Sequence, residues 1–234
     1  MATGQSQTLR SKQRTNIMHA YRGRGRGNSN LWLVYSIKTN KDYILPSDRQ
    51  LIHWLHYLET NPEVKSFDLE PTALISVDSY EARATELDAR VLLANGRVEW
   101  HEVKSDDNDV APGKSKLEAQ ASAASAEGIS YRTFSDKDLS PHVRVSLRWL
   151  KAIGFASVLR DRPFVQESVA LDSVFLRRET GTIAELLNDL PDVDPAILKG
   201  LLVRLAISGH IHLDLNRGGF RSASIWRFSN HVVS

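Results

Sequence analysis

Residues 86–104 read ELDARVLLANGRVEWHEVK, and this stretch decides the fold that the sequence predicts. Two runs of alternating apolar and polar residues flank Asn95-Gly96, a dipeptide typical of tight hairpin turns. We therefore predict an antiparallel hairpin with a two-residue turn, whose strands are Thr85–Leu93 and Val98–Lys104. Such a hairpin brings the start of its first strand beside the end of its second.

Charged side chains lie at those two strand ends. Side chains alternate along a strand, so Asp88 should meet Glu102 and Lys104, while Val103 points into the core. Neighbouring carboxylates raise each other's pKa, and a divalent cation removes that penalty. Oxygen ligands suit Mg²⁺ or Mn²⁺, which can lower the pKa of an attacking water, and Lys104 could orient that water. The alternative interpretation is a solvated sheet face with an Asp–Lys pair across the strands.

The segments around the hairpin predict a mixed α/β sheet flanked by helices. A helix should open at Pro46-Ser47-Asp48, with an apolar stripe from Leu51 to Leu58, and end at Asn61-Pro62. The Ala-rich run Ser115–Glu127 predicts a second helix after an acidic loop at Ser105–Gly113. Further strands are expected at Leu31–Ser36, Val64–Leu69, Leu74–Asp78 and Ile129–Phe134.

Beyond residue 139 the pattern becomes helical and ends in a β-hairpin, which is the layout of a winged helix. The expected helices are Pro141–Ile153, Gln166–Arg178, Thr182–Leu190 and Pro195–Ser208. We therefore divide the chain into a flexible basic arm (1–27), an α/β domain (28–139) and a winged-helix domain (140–234).

The charges of the predicted winged helix favour protein contact over entry into the DNA major groove. Between Thr182 and His210, four acids stand against two cations, whereas a helix in the major groove normally meets phosphates with excess positive charge. The predicted wing is basic and could touch the DNA backbone. Its cations are Arg217, Arg221 and Arg227.

Composition excludes several classes of protein and isolates one charged segment. The 234 residues carry 30 Lys and Arg against 28 Asp and Glu, without a cysteine, so disulfides and thiolate metal sites are excluded. There is no apolar run of membrane-spanning length and no apolar signal segment, so we expect a cytoplasmic protein with no membrane association. The arm has no acid and suits a polyanion such as double-stranded DNA. Its cations are Arg10, Lys12, Arg14, Arg22, Arg24 and Arg26.

Two sets of motifs resemble known families. Asp88 followed by Glu102-Val103-Lys104 at hairpin spacing is similar to the PD-(D/E)xK nuclease signature. Over roughly residues 10–140, the ordered set of motifs resembles the TnsA family, the endonuclease subunits of heteromeric transposases. That set comprises the Arg/Gly arm, the helix that runs into Leu58–Phe67, Glu70-Pro71, the hairpin, and Gly128–Asp136.

The resemblance implies a restriction-endonuclease-like fold with a C-terminal winged helix and Mg²⁺-dependent cleavage at the 5′ ends of a transposon. It implies a TnsB-like DDE transposase and a TnsC-like ATPase as partners, with the chain at the nucleoid when active. Asp88, Glu102 and Lys104 match catalytic positions of the family, and Asp88, Glu102 and Val103 its metal positions.

The sequence departs from the family pattern at two positions. Leu87 stands where the signature prefers proline, which matters little. Gln50 stands where the family usually offers a glutamate near the start of the first helix. Gln50 is then a fourth catalytic position that brings no charge, which indicates a weakened nuclease; alternatively, Asp48 or Glu59 supplies the missing carboxylate. A structural role is also open, because Ser47-x-x-Gln50 forms a capping-box sequence.

Three functional hypotheses remain. The first is the TnsA-like endonuclease subunit, the second a winged-helix DNA-binding or adaptor protein with an impaired nuclease domain, and the third a standalone PD-(D/E)xK nuclease in defence or repair. Among the remaining candidate residues, the spacing of His53 and His56 allows metal binding, but packed or surface histidines are the favoured interpretation. Lys116 or Gln120 on the Ala-rich helix could approach the site.

Overall fold

The chain folds as a mixed α/β protein, and its first described unit is a hairpin that the sequence predicted only in part. The computed structural model describes residue 22 and residues 30–71, 74–78, 81–105, 111–160 and 162–229. Strand β1 (Trp32–Ser36) pairs antiparallel with β2 (Lys41–Leu45). We expected β1 but not β2, whose Tyr43 and Leu45 are buried in the core.

The first helix begins as predicted and then widens. Ser47 caps α1 (Asp48–His53) by accepting a hydrogen bond from the Gln50 N–H, which satisfies one of the free donors at a helix start. The chain continues as a π-helix (Trp54–Glu59), which ends just before the predicted Asn61-Pro62 stop. Both pieces direct their apolar stripe into the core.

The central sheet has four strands in the order β3-β6-β7-β8. They are β3 (Val64–Asp68), β6 (Ala89–Leu93), β7 (Val98–Val103) and β8 (Ser130–Phe134). The predicted hairpin is β6–β7, and β8 joins β7 in parallel. Its turn differs from the expected two residues, because Leu93 and Arg97 close a three-residue loop in which Gly96 adopts a φ of 82°. That left-handed conformation is the one glycine adopts without steric cost.

The predicted strand Thr85–Leu93 is interrupted. Residues 81–85 form β5 (Glu81–Thr85), which pairs with β4 (Leu74–Asp78) as a separate hairpin, and β6 starts only at Ala89. Asp88 therefore lies just before a strand rather than within one. This position lets its side chain approach groups from both faces of the sheet.

Helices cover both faces of the central sheet. On one face, α2 (Ala111–Ala126) packs Ala124 against Leu87 and Trp100. On the other face lie α1 and the π-helix, and Val103 belongs to this side, beside Ile52 and Phe134. Helix α2 begins earlier than the predicted loop Ser105–Gly113 allowed, because proline is tolerated in the first turn of a helix.

The remaining elements are helices with a small three-stranded sheet. A short helix α3 (Asp136–Leu139) and a 3₁₀ turn (Ser140–His142) lead into α4 (Val143–Val158). The sheet has the order β10-β11-β9, and β9 was not predicted. The other elements are α5 (Val165–Phe175), β9 (Thr180–Thr182), α6 (Ile183–Asp189), α7 (Pro195–Ile207), β10 (Ile211–Asp214) and β11 (Ile225–Phe228).

One hydrophobic core runs through the predicted boundary at residues 139–141. Buried side chains of β1, α1 and the π-helix join those of α4, α6, α7 and β11 in a single cluster. Contacts across the boundary include the ion pair of Arg160 with Asp42 at 3.1 Å and the stacking of His56 on His142, with ring centroids 3.6 Å apart. Within the described part of the chain, the helices are too short or too polar to cross a bilayer.

Candidate active site

The hairpin places Asp88 and Glu102 side by side. The register pairs Ala89 with His101, so Asp88 and Glu102 follow as the next opposed residues, on the face covered by α2. Asp88 is held by two donors. Its Oδ2 accepts the Val103 N–H at 2.6 Å, and its Oδ1 accepts Gln50 Nε2 at 2.8 Å. The carboxylate is therefore anchored to both β7 and α1.

Glu102 is held from the opposite side by α2. Only 5% of Glu102 is exposed, and its Oε1 accepts Lys116 Nζ at 2.8 Å. Its Oε2 accepts Gln120 Nε2 at 3.2 Å, and the same nitrogen also donates to the carbonyl of Glu86 at 3.1 Å. The Tyr131 hydroxyl donates to Gln120 Oε1 at 2.6 Å, so the buried amide of Gln120 is oriented at both of its ends.

The charged groups of the site shift one another's pKa values. Burial, and then the charge of Glu102, raise the pKa of Asp88 to about 6, although the Val103 N–H, Lys116 and Gln50 oppose the change. Burial lowers the pKa of Lys104, with Lys116 acting in the same direction and Glu102 and Asp88 opposing it. Asp88 and Glu102 thus lie opposite each other at the end of the hairpin, and the charges of both act on Lys104.

Gln50 takes a different role from that of a capping residue or a ligand. Its main-chain N–H binds the Ser47 hydroxyl, but its side chain turns to Asp88 instead of returning to the helix start, so only half of the predicted capping box forms. It donates its amide nitrogen to the carboxylate. A role as a metal ligand requires the amide oxygen, and hence the opposite orientation of the amide.

The two substitutes considered for the missing carboxylate are wrong, because both lie elsewhere. Asp48 accepts hydrogen bonds from Asn30 and from the indole of Trp32, at 2.8–3.1 Å. Glu59 is fully buried, where it accepts the Ser36 hydroxyl and the Ile37 N–H, each at 2.7 Å. Each carboxylate stabilises the N-terminal hairpin.

Asp88 and Glu102 are the two carboxylates that could hold a divalent cation here, and each of their four oxygens accepts a hydrogen bond. Among the described residues, no group of three or more His, Asp or Glu side chains is arranged to hold a metal ion. Val103 contacts Asp88 through its N–H, whereas its predicted metal role requires its carbonyl. The Lys116 ammonium bound to Glu102 neutralises part of the negative charge, so a divalent ion that uses Oε1 has to displace it.

The structure also settles the lesser candidates. Lys116 and Gln120 do approach the site, as we predicted. The contribution of Tyr131 was not predicted, because it depends on β8 lying beside β7, for which the sequence carries only a weak signal.

Arg22 is exposed and helical. The other predicted DNA-binding residues lie outside the described residues: Arg10, Lys12, Arg14, Arg24 and Arg26.

A series of contacting polar side chains, which the sequence did not reveal, lies on the opposite face of the sheet. His53 Nε2 contacts His101 Nδ1 at 3.0 Å, and His101 Nε2 contacts Glu99 at 3.1 Å. Arg132 pairs with Glu99 at 3.3 Å. Burial is the main cause that lowers the pKa of both histidines, that of His101 to about 4. His53 is therefore a packed histidine, in agreement with the favoured interpretation.

Comparison of the chain with protein-family models and with curated proteins gave no match.

Proposed function

We propose that the protein is a TnsA-like DNA endonuclease subunit that cleaves the 5′ ends of a transposon by metal-dependent phosphodiester hydrolysis. The observation that carries the proposal is the pairing of Asp88 with Glu102 beside Lys104 on a hairpin of a helix-covered sheet. Placing the partly buried Asp88 beside the buried Glu102 is costly, and the raised pKa of Asp88 reflects that cost. Binding of a divalent cation offsets it.

The side chains of the site have different roles in the proposed reaction. Asp88 and Glu102 would hold Mg²⁺ or Mn²⁺, which supplies polarisation of the phosphoryl oxygen and a lowered pKa of the attacking water. Gln120 and Tyr131 keep Glu102 in one orientation, and the Val103 N–H does the same for Asp88. Lys104 orients the water or stabilises the negative charge that develops on the phosphate.

The proposed fold is a restriction-endonuclease-like domain followed by a winged helix. The order α5, β9, α6, α7, β10 and β11 agrees with a winged-helix layout. Helix α7, which takes the place of the recognition helix, is packed against α4, and most of its residues are buried. This burial argues against entry of α7 into a DNA groove, and we propose that the domain docks to protein partners, a TnsB-like transposase and a TnsC-like ATPase.

A second candidate function is that of an adaptor with an impaired nuclease. Gln50 favours it, because the site lacks a charge at the position where the family usually offers a glutamate. A standalone nuclease is the third candidate, and a neighbouring reading frame for a DDE transposase would argue against it.

A nicking assay on a labelled transposon end tests the proposal. We expect the wild type to cleave with Mg²⁺ or Mn²⁺, with the cognate transposase present or absent, and Asp88→Asn to abolish cleavage. Asp192→Asn removes an exposed acid from a loop and serves as the matched control that retains activity. Absence of cleavage by the wild type under all these conditions would favour the adaptor.

A further inference from the structure

Helix α4 presents cations without any acid. Its sixteen residues include Arg144, Arg148 and Lys151 and no Asp or Glu. Successive helical residues are about 100° apart, so Arg144 and Lys151 lie within roughly 60° of Arg148 around the helix axis. Arg144 and Lys151 are exposed, while Arg148 is partly buried. The three cations therefore form one stripe along α4.

The loop between β10 and β11 lies against the same stripe. Arg148 Nη1 donates to the carbonyl of Leu215 at 2.8 Å and also to that of Asn216. Farther along the helix, Phe155 contacts Phe220, with ring centroids 5.6 Å apart. These contacts hold the loop beside α4 and bring its exposed cations next to the stripe. The loop cations are Arg217 and Arg221.

The exposed cations of this surface have no carboxylate partner among the described residues. Among the described residues, five cations elsewhere pair with carboxylates: Arg49, Lys116, Arg132, Arg160 and Arg178. Within the same described part of the chain, no ion pair involves Arg144, Lys151, Arg217 or Arg221. The nearby Asp214 is engaged with its own turn, because its carboxylate accepts the Asn216 N–H at 2.8 Å.

We propose that α4 and the β10–β11 loop form a contact surface for the phosphate backbone of DNA, with Arg148 as the residue that positions the loop. The choice of a nucleic acid as the polyanion rests on the proposed function. Arg144 and Lys151 are seven residues apart, which is about 10 Å of helix, and a duplex presents roughly six phosphates over that length. The surface reads no sequence, because phosphate contacts fix position without identifying bases. This surface would let the C-terminal part of the chain contact DNA even though α7, in the place of the recognition helix, is buried.

Fluorescence anisotropy of the full chain with a short labelled duplex, titrated at several salt concentrations, tests this surface. The variant is Arg144→Gln/Lys151→Gln/Arg217→Gln. The matched control removes three exposed cations from other elements, Lys41→Gln/Lys65→Gln/Arg177→Gln. Loss of three phosphate contacts should reduce the slope of log affinity against log salt by about 2 to 3, and weaken binding at least tenfold at about 50 mM salt. The control should change the slope by less than about 1.

Equal slopes for the variant and its control would overturn the surface, and retention of wild-type DNA affinity by the variant would assign the stripe to an acidic protein instead. The single substitution Arg217→Gln repeats the test at an exposed loop position, where folding is not at risk. Asp88→Asn separates this inference from the proposed function. That variant should bind the duplex like the wild type and cleave nothing, so loss of the surface and loss of the nuclease give different results.

Discussion

The residue type at position 50 decides the charge of the candidate site. Gln50 donates to Asp88 Oδ1 at 2.8 Å and so satisfies a carboxylate without adding a negative charge. A glutamate there would place a third carboxylate beside Asp88 and Glu102. Such a cluster binds a divalent cation more strongly but is less favourable without one.

We therefore expect Gln50→Glu to raise Mg²⁺-dependent cleavage of DNA. The measurement is the single-turnover cleavage rate across a range of Mg²⁺ concentrations. Gln50→Met, which removes the donor without adding charge, is the control and should not raise the rate. An unchanged rate in Gln50→Glu would refute the prediction.

Tyr131 contacts the site through a hydrogen bond to Gln120. Tyr131→Phe removes the hydrogen bond to Gln120 Oε1, which costs about 1 kcal/mol of stability. Because Gln120 then no longer holds Glu102 firmly, we expect metal affinity to fall about tenfold, as measured by calorimetric titration with Mn²⁺. Tyr57→Phe removes a hydrogen bond to the Asp138 carbonyl and is the matched control; equal metal affinities in the two variants would contradict the role of Tyr131.

The buried contact of His53 with His101, between α1 and β7, should make the free energy of unfolding depend on pH. Burial lowers the pKa of His101 from 6.5 to about 4, so between those values the unfolded chain binds a proton that the folded chain refuses. The contribution of neutral His101 is present above pH 6.5 and is lost as the pH falls to about 4, by about 3 kcal/mol. Asp88 works in the opposite sense, because its raised pKa of about 6 favours the folded state as the pH falls.

A comparison with His101→Gln cancels the contribution of Asp88. We expect the difference in the free energy of unfolding between wild type and His101→Gln to change by about 2 kcal/mol between pH 7 and pH 4.5, with the wild type losing its advantage. Urea unfolding at each pH measures it. His212→Gln controls for the loss of a histidine at the surface. A difference that stays constant with pH would show that His101 is not neutral and buried in solution.

Close packing of α4 on α7 depends on a glycine. A Cβ atom added to Gly200 would lie 2.5 Å from Leu159 Cδ1 and 2.8 Å from the Phe155 carbonyl oxygen. Gly200→Ala should therefore lower the free energy of unfolding by about 1–3 kcal/mol. Gly154→Ala, on the exposed side of α4 where a Cβ meets nothing within 4 Å, should raise it by about 0.5–1 kcal/mol. Equal effects in chemical denaturation would mean that the helices are not closely packed.

The elements whose signals are local were predicted well, and those that depend on packing were not. Ser47 and Asn95-Gly96 act through their own neighbours in the chain, so α1 and the β6–β7 hairpin followed from the sequence. Strand β2 was missed because it is defined by pairing with β1. The π-helix is a similar case, because the sequence predicted a helix there, while its neighbours α4 and β3 come from distant parts of the chain.

At the scale of the whole molecule, the continuous core predicts that the two halves depend on each other. Ile153 and Ala156 of α4 are buried in the same cluster as Leu55 and Leu58 of the π-helix, and division at residue 139 would expose apolar surface on both sides. We expect residues 1–139 and 140–234, produced as separate chains, to melt at least about 5 °C below the intact protein and to recover stability when mixed. Calorimetry of each chain and of the mixture measures this; a separate chain that melts at the temperature of the intact protein would indicate two independent domains.

The sequence by itself determined the β6–β7 hairpin and the opposition of Asp88 and Glu102 at its end, because these follow from residues less than twenty positions apart. Only the tertiary structure decided that Lys116, Gln120 and Tyr131 hold Glu102, that Gln50 donates to Asp88, and that α7 is buried by α4. Those contacts join separate elements, and the packing of helices on the sheet selects them from many arrangements that the same pattern of apolar and polar residues permits.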